Sequence, residues 1–164
     1  MSTLVLELRQ GEMMIVNGAP IRFRSKSRIE LTAKARFLFG KQIMAPTQAD
    51  SPARRIYFAL QSAYIGSEEE RPDGLSAARR LIEDFKGVTT SSLACGILDR
   101  ALAAAEAADC YQALKLTRRV ILHEDTVLGR TADAFRGGSQ ARSQSPSPGS
   151  NERDAYREPG QQGL

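Results

Sequence analysis

The dipeptide Asn17-Gly18 constrains the fold of this chain most, because alternating apolar residues flank it on both sides. Asparagine and glycine both tolerate the positive φ angles of a two-residue type I′ turn, so the pair predicts a tight β-hairpin. This turn places Met14 opposite Ile21. It therefore sets which face each side chain of the two flanking strands points to.

Residues 3–31 are predicted to form a four-strand antiparallel meander, with residues 10–12 and 25–27 as two further three-residue hairpin loops. The first strand then pairs with the second, and the third pairs with the fourth. Side-chain parity places nine apolar residues on one face of this sheet. They are Leu4, Leu6, Leu8, Met14, Val16, Ile21, Phe23, Ile29 and Leu31.

The opposite face of the predicted sheet is basic. It carries Arg9, Arg22, Arg24 and Arg28, with Lys26 in a connecting loop. In this register Arg22 lies opposite Glu30, and Arg24 lies opposite Arg28. Like charges directly opposite each other are mildly destabilising, so an external anion such as a phosphate backbone is one explanation of the pattern. A solvated sheet face that happens to be basic is the alternative.

The net charge of +4 comes from the first part of the chain. Residues 1–50 contain 8 basic and 4 acidic residues, whereas the two charge signs balance in residues 51–130 and 131–164. A local basic excess favours an anionic partner. A chain of 164 residues bounds the fold to one domain, or to one domain and an appendage.

The sequence predicts a cytoplasmic protein without a membrane span. It has no apolar run of about 18 residues, and its N-terminus enters a strand directly instead of forming a signal peptide. Cys95 and Cys110 match no metal-binding spacing, so we interpret both as reduced, partly buried thiols.

The predicted fold class is α+β, with a β-meander in residues 1–44, a helical bundle in residues 51–130 and a disordered tail in residues 131–164. A fifth strand is expected at residues 36–39. The tail is rich in Gly, Ser, Pro and Gln, and cannot bury enough apolar surface to fold. The four helices are expected from the cap Ser51 to Gly66, from about Gly74 to Lys86, from a cap within residues 89–92 to about Ala108, and from the cap Asp109 to near Gly129.

Catalytic, metal and cofactor motifs are absent from the sequence, so we expect no enzyme activity, no metal and no cofactor. The only histidine, His123, precedes two acids on the fourth helix. Because adjacent helical residues point in different directions, we interpret Glu124 and Asp125 as part of a solvated face. The fourth helix also carries a second, weaker basic patch of Lys115, Arg118 and Arg119.

Three motifs resemble the FlbT family of alphaproteobacterial flagellum biosynthesis regulators. They are Leu-Arg-Gln-Gly-Glu at 8–12, Val-Asn-Gly-Ala at 16–19, and Pro52 followed by Arg-Arg-Ile-Tyr-Phe-Ala-Leu-Gln at 54–61. The final Val-Ile-Leu-His-Glu-Asp segment at 120–125 fits as well. The resemblance covers roughly residues 3–130.

The resemblance implies a post-transcriptional regulator that associates with the 5′ untranslated leader of flagellin messenger RNA. Some members repress flagellin synthesis and speed up decay of the message, while others promote flagellin expression, and repression is the expected sign here. A small companion protein, FlaF, is an implied partner.

A shorter resemblance is to the CsrA family of messenger-leader binders. It rests on Leu4-Val5-Leu6, Gly11-Glu12 and residues 28–31, which correspond to a similar strand, turn and later basic strand. It implies a strand-exchanged homodimer.

Two functions therefore remain open. The first is direct RNA binding by the exposed basic side chains Arg9, Arg22, Arg24, Lys26 and Arg28. The second is a protein–protein adaptor in flagellar assembly that acts through a partner such as FlaF, using the helical half. Met13 and Ile15, predicted to be exposed on the outer sheet face, would add an apolar contact for such a partner.

Overall fold

The computed structural model describes residues 3–129, and the predicted tail lies outside that range. Five strands are followed by four helices, with two one-turn 3₁₀ helices between them, so the predicted α+β class is confirmed. The elements are β1 (Leu4–Leu8), β2 (Met13–Val16), β3 (Ala19–Arg22), β4 (Ser27–Leu31), β5 (Phe37–Phe39), the 3₁₀ helices Gly40–Gln42 and Pro46–Gln48, α1 (Pro52–Ile65), α2 (Glu70–Val88), α3 (Ser92–Glu106) and α4 (Cys110–Val127).

The hairpin predicted from Asn17-Gly18 is confirmed. Strands β2 and β3 are antiparallel, and Met14 pairs with Ile21 as expected. Asn17 and Gly18 have φ angles of 48° and 87°, which lie in the left-handed region that this turn requires. The hairpin register is therefore set locally, by the turn.

The other two predicted pairings, β1 with β2 and β3 with β4, are wrong. Strand β1 instead pairs with β4, and β2 pairs with β5 on its other side, which gives a two-stranded ribbon and a three-stranded sheet of order β3-β2-β5. In both hairpin ladders the numbers of paired residues add up to 35, as for Leu4 with Leu31 and Met13 with Arg22. The chain thus forms one long hairpin that is interrupted in the middle.

The interruption is a β-bulge at Gly11. The Gly11 and Phe23 N–H groups donate to Phe23 and Glu12 carbonyls at 2.7 and 2.9 Å, so two residues on one strand oppose a single residue on the other. The Glu12 N–H also donates to the Arg9 carbonyl at 3.1 Å, which closes a β-turn. Gly11 has a φ of 84°, a conformation that favours glycine. Residues 9–12 thus bend the strand without reversing the chain.

The predicted apolar face forms a small core of its own between the ribbon and the sheet. Leu8 and Met14 are completely buried there, and Phe37 and Phe39 of β5 pack against the same cluster. Leu4 and Ile21 are exceptions, with 43% and 42% of their surface exposed. The other predicted members contribute as expected: Leu6, Leu8, Met14, Val16, Phe23, Ile29 and Leu31.

The other face of the three-stranded sheet packs against the helices. Leu38 is buried in the helical core, and its pairing partner Ile15 packs against the same core. The prediction that Met13 and Ile15 are exposed for a partner is therefore wrong, because both are half-buried. The prediction failed because it assumed that solvent, and not the helices, covers the second face of the sheet.

Capping residues begin three of the helices where the sequence predicts. The side chains of Ser51, Ser91 and Asp109 accept hydrogen bonds from backbone N–H groups in the first turns of α1, α3 and α4. Helix α2 begins at Glu70, four residues earlier than expected, because a proline is tolerated in the first helical turn. In α3, Leu93 is 62% exposed, whereas its neighbour Ala94 is buried.

Helices α1 and α2 approach each other closely at Gly74. A Cβ atom at this position would lie 2.6 Å from the Ala63 nitrogen and 2.9 Å from the Ala59 oxygen, both of which are backbone atoms. Only a residue without a side chain fits this contact. Helices α3 and α4 form the other closely packed pair, and α4 also packs against α1.

Candidate nucleic-acid interface

The five basic residues predicted to bind RNA are all exposed. Three of them lie where the long hairpin is interrupted, a region that we call the bend (residues 9–12 and 23–26). Leu8 pairs with Ser27 at the end of the ribbon. Arg9 follows Leu8 and Lys26 precedes Ser27, so the two basic residues lie next to the same pair. Arg24 directly follows Phe23, which is hydrogen-bonded to Gly11. The bulge thus brings Arg9, Arg24 and Lys26 to the same part of the surface.

Arg22 and Arg28 lie on either side of the bend. Arg22 pairs with Met13 and shares its side of the sheet with Ile15, which packs against the helices. Arg28 pairs with Glu7 on the outer face of the ribbon, and such opposite charges stabilise a ladder slightly. The predicted pairs of Arg22 with Glu30 and of Arg24 with Arg28 do not form.

The predicted basic residues therefore form a curved surface around the bend instead of a flat face. Among the described residues, none of the five side chains forms a salt bridge. Glu12 is the acid within the bend, and its carboxylate accepts a hydrogen bond from the Arg9 backbone N–H at 2.7 Å. The guanidinium groups are thus left available to an external anion.

The second basic patch, on α4, includes an aromatic ring that the sequence interpretation missed. The Lys115 ammonium lies 4.7 Å from the centroid of the Tyr111 ring, which is 37% exposed. The Arg118 guanidinium donates to the Tyr57 hydroxyl at 3.3 Å. The i, i+4 spacing of Tyr111 and Lys115 was the available signal, because such residues are neighbours on a helix surface.

Two charged residues of the FlbT-like motifs, Arg54 and Asp125, form a buried ion pair. The Arg54 Nη1 and Nη2 atoms donate to Asp125 Oδ1 and Oδ2 at 2.7 and 2.9 Å, and both residues are at least 97% buried. The interpretation of Asp125 as solvated is therefore wrong, because its partner lies 71 residues away in sequence. This hydrogen bond also raises the pKa of Arg54, so the pair stays charged.

Other motif residues fasten the helices to the connecting segment after β5. The Gln61 side chain bonds the backbone of Met44 twice, accepting from its N–H at 2.7 Å and donating to its carbonyl at 2.9 Å. The Tyr57 hydroxyl donates to the Gln42 carbonyl at 2.6 Å, and burial raises the pKa of this tyrosine. These contacts give Tyr57 and Gln61 of the motif at 54–61 a role in stabilising the fold, which requires no ligand.

An apolar groove of about 450 Å³ lies between α1 and α2. Its walls include Phe58, Ala59, Ala77 and Leu81, with Arg55 and two acids also lining it. Residues 3–129 contain no cluster of His, Cys, Asp and Glu that could hold a metal ion. Within the same residues no helix is long and apolar enough to cross a membrane.

Sequence comparison relates the chain to proteins of flagellar biosynthesis. The family model described as flagellar protein FlbT matches residues 4–128. The flagellum biosynthesis repressor protein FlbT of Caulobacter vibrioides (strain ATCC 19089 / CIP 103742 / CB 15) is 32% identical over 142 residues, which is 84% of this chain and 98% of that protein.

Two further relatives are named probable flagellum biosynthesis repressor protein FlbT. The protein of Caulobacter sp. (strain K31) is 33% identical over 79% of this chain and 98% of its own length. That of Agrobacterium fabrum (strain C58 / ATCC 33970) is 28% identical over 77% of this chain and 85% of its own length. No solved structure matches the chain.

Proposed function

This chain belongs to the FlbT family of flagellar proteins, and on that premise we propose that it represses flagellin synthesis by binding the 5′ untranslated leader of flagellin messenger RNA. Binding alters the stability or the translation of the message. The protein acts in the cytoplasm, as a regulator without catalytic activity. FlaF and a second copy of the chain are further proposed partners.

The observation that carries this proposal is the set of exposed cations around the bend. Arg9, Arg24 and Lys26 are grouped there, and Arg22 and Arg28 extend the basic surface in two directions. Arginine suits RNA because its planar fork bridges phosphate oxygens and also stacks on unpaired bases. The curvature of the surface suits a folded leader or a strand that wraps around the bend.

A gel-shift titration against the flagellin leader RNA at several salt concentrations tests the proposal. If about four phosphates are neutralised, a plot of log affinity against log salt has a slope near −3. Replacing Arg22, Arg24 and Arg28 with Gln removes three of these contacts and brings the slope to about −1. Circular dichroism checks that the variant is folded.

A matched control removes the same charge from the helical half. Arg79, Arg80 and Arg100 are exposed on α2 and α3, so their triple replacement with Gln changes the net charge equally. We expect this control to bind RNA nearly as well as the original protein. Equal losses in the two triple variants would mean that net charge alone attracts RNA, which contradicts a site at the bend.

The groove between α1 and α2 favours a second candidate function, a protein–protein adaptor. Its apolar walls and its charged residues Arg55, Glu70 and Asp73 suit a helix of a partner such as FlaF. An adaptor that uses this groove would bind a purified FlaF-like protein and would keep that binding in the bend triple variant. Absence of RNA binding by the folded protein at low salt would favour this second function.

A further inference from the structure

The basic patch on α4 continues onto the segment that precedes the helices. The Tyr111 hydroxyl accepts a hydrogen bond from Gln42 Nε2 at 3.4 Å, so the start of α4 contacts the 3₁₀ helix Gly40–Gln42. The Tyr64 ring packs against Tyr111 at 6.1 Å between centroids and joins α1 to the same place. Segments that are 69 residues apart in sequence therefore form one surface.

Both segments are basic. Residues 34–42 contribute Lys34, Arg36 and Lys41, residues 110–123 contribute Lys115, Arg118 and Arg119, and neither segment contains an acid. The preceding acid, Asp109, caps the first turn of α4 by accepting from the Gln112 N–H at 3.2 Å. We give the name helix-4 patch to four exposed residues of this surface, Lys41, Tyr111, Lys115 and Arg119.

We propose that the helix-4 patch is a second contact surface for unpaired RNA, in which a base stacks on Tyr111 and the neighbouring phosphates meet Lys115 and Arg119. This inference rests on the proposed RNA-binding function and adds the stacking surface that the bend lacks. In the bend, the aromatic residue Phe23 packs into the small core between ribbon and sheet. Tyr111 instead presents an exposed ring among cations, the combination that single-stranded nucleic acids bind.

Lys115 now occupies the space over the ring that a base would take. Its side chain is exposed and carries a flexible stem, so a base can displace the ammonium at little cost. The displaced ammonium then remains within reach of the flanking phosphate. In the proposal, the base therefore stacks on the face of the Tyr111 ring that Lys115 now covers.

The helix-4 patch and the bend are connected. A Cβ atom at Gly40 would lie 3.8 Å from Glu12 Oε1, so the turn at the bend reaches the 3₁₀ helix that also contacts Tyr111. Lys41 directly follows Gly40, so this exposed member of the helix-4 patch lies beside the contact with the bend. One RNA strand can therefore contact the bend, Lys41 and α4 in succession.

The test uses the complete chain and a labelled single-stranded fragment of the flagellin leader. Tyr111→Leu removes the ring, and Tyr111→Phe keeps the ring while losing the hydroxyl. We expect about tenfold weaker RNA binding for the Leu variant and nearly unchanged binding for the Phe variant. Inorganic polyphosphate has the charge of RNA without its bases, so the Leu variant should bind it as the original protein does.

A second variant keeps the inference testable if Tyr111→Leu does not fold. Lys115→Gln with Arg119→Gln changes only exposed side chains, and it should make the salt slope of RNA binding less steep without changing the melting temperature. The paired change Arg79→Gln with Arg100→Gln is its control, because both residues are exposed, on α2 and α3, and neither belongs to the patch.

The outcomes separate this inference from the proposed function. Normal RNA binding by both patch variants, together with weak binding by the bend triple variant, overturns the helix-4 patch and leaves RNA binding at the bend intact. Equal loss of RNA and polyphosphate binding by Tyr111→Leu overturns base stacking. Absence of RNA binding by the original protein at low salt overturns both proposals. Loss that is specific to RNA and to the missing ring supports the inference.

Discussion

In the helical half several polar residues of the family motifs are buried and hydrogen-bonded within the fold, whereas in the strand half Arg9, Arg22, Arg24 and Arg28 lie exposed. Arg54 is held by Asp125 and Gln61 by the Met44 backbone. Arg24 and Arg28 have no salt bridge within the described residues. A charge that folding leaves unpaired is available to a ligand, so the strand half is where RNA contacts are expected.

This difference also separates two meanings of a family motif. The motif at 54–61 and the segment at 120–125 contain the residues that hold α1 against α4 and against the segment after β5. For example, Glu124 Oε2 accepts the Ala53 N–H at 2.8 Å at the start of α1. The motif at 8–12 instead builds the bend, because it supplies the turn and the bulge. One set of motifs stabilises the fold, and the other shapes a surface.

Breaking the buried ion pair should have the largest effect on stability. Asp125→Asn removes the buried carboxylate that binds the Arg54 guanidinium twice and leaves only the exposed Asp50 carboxylate, 4.0 Å from Arg54 Nε, which costs about 3–5 kcal/mol in the free energy of unfolding. Urea unfolding followed by circular dichroism measures this. Asp99→Asn, which removes an exposed partner of Lys86, is the control and should have a much smaller effect. A small effect at Asp125 would mean that the helical half does not depend on its buried charges.

Filling the contact between α1 and α2 should have the next largest effect. Gly74→Ala puts a methyl group against the backbone of α1, and the resulting separation of the helices costs about 1–3 kcal/mol. Gly87→Ala is the matched control in the same helix. Nothing lies within 4 Å of a Cβ there, and the change should stabilise the protein by up to about 1 kcal/mol. Thermal unfolding of the two variants should therefore shift in opposite directions.

In the strand half, the bulge should be the sensitive position. Gly11→Ala forces an alanine to adopt a φ of 84° and should cost about 1–2 kcal/mol. It should also weaken RNA binding, since the bend positions Arg9 and Arg24. Gln10→Ala, one residue away, should leave both properties nearly unchanged. If Gly11→Ala left RNA binding intact, the geometry of the bend would not matter to the ligand.

The smallest effect on stability is expected for the exposed arginines. Replacing Arg22, Arg24 and Arg28 with Gln should change the free energy of unfolding by about 0.5 kcal/mol or less, because no buried group loses a partner. Urea unfolding of the same variant that is used for RNA binding measures this. A loss of several kcal/mol would show that these arginines serve the fold, and would remove the contrast with the helical half.

Local signals in the sequence predicted much of this fold. The Asn17-Gly18 turn gives the correct β2–β3 register because its residues are adjacent, and the caps Ser51 and Asp109 mark helix starts for the same reason. The prediction of which side chains share the apolar face was largely correct even where the predicted strand pairing was wrong. A residue of β1 keeps its side-chain direction whichever strand it pairs with.

Contacts between distant residues were not predictable in the same way. A Gln-Gly-Glu sequence fits both a hairpin loop and a bulged turn, and only the pairing of β1 with β4 distinguishes the two. Asp125 is buried because Arg54 is opposite, and nothing near it in sequence indicates this. For the same reason, the sequence indicated a basic patch on α4 but not the Tyr64 and Gln42 contacts that hold Tyr111 in place.

The shared register of the interrupted hairpin limits how the length of the chain can change during evolution. The two ladders lie on either side of the bend, and both have the register that the single turn at Asn17-Gly18 sets. One extra residue in either arm of the bend would shift β1 by one position against β4 and turn the apolar side chains of one strand outward. One extra residue in each arm would preserve every pair. Insertions at the bend should therefore occur in matched pairs among related sequences.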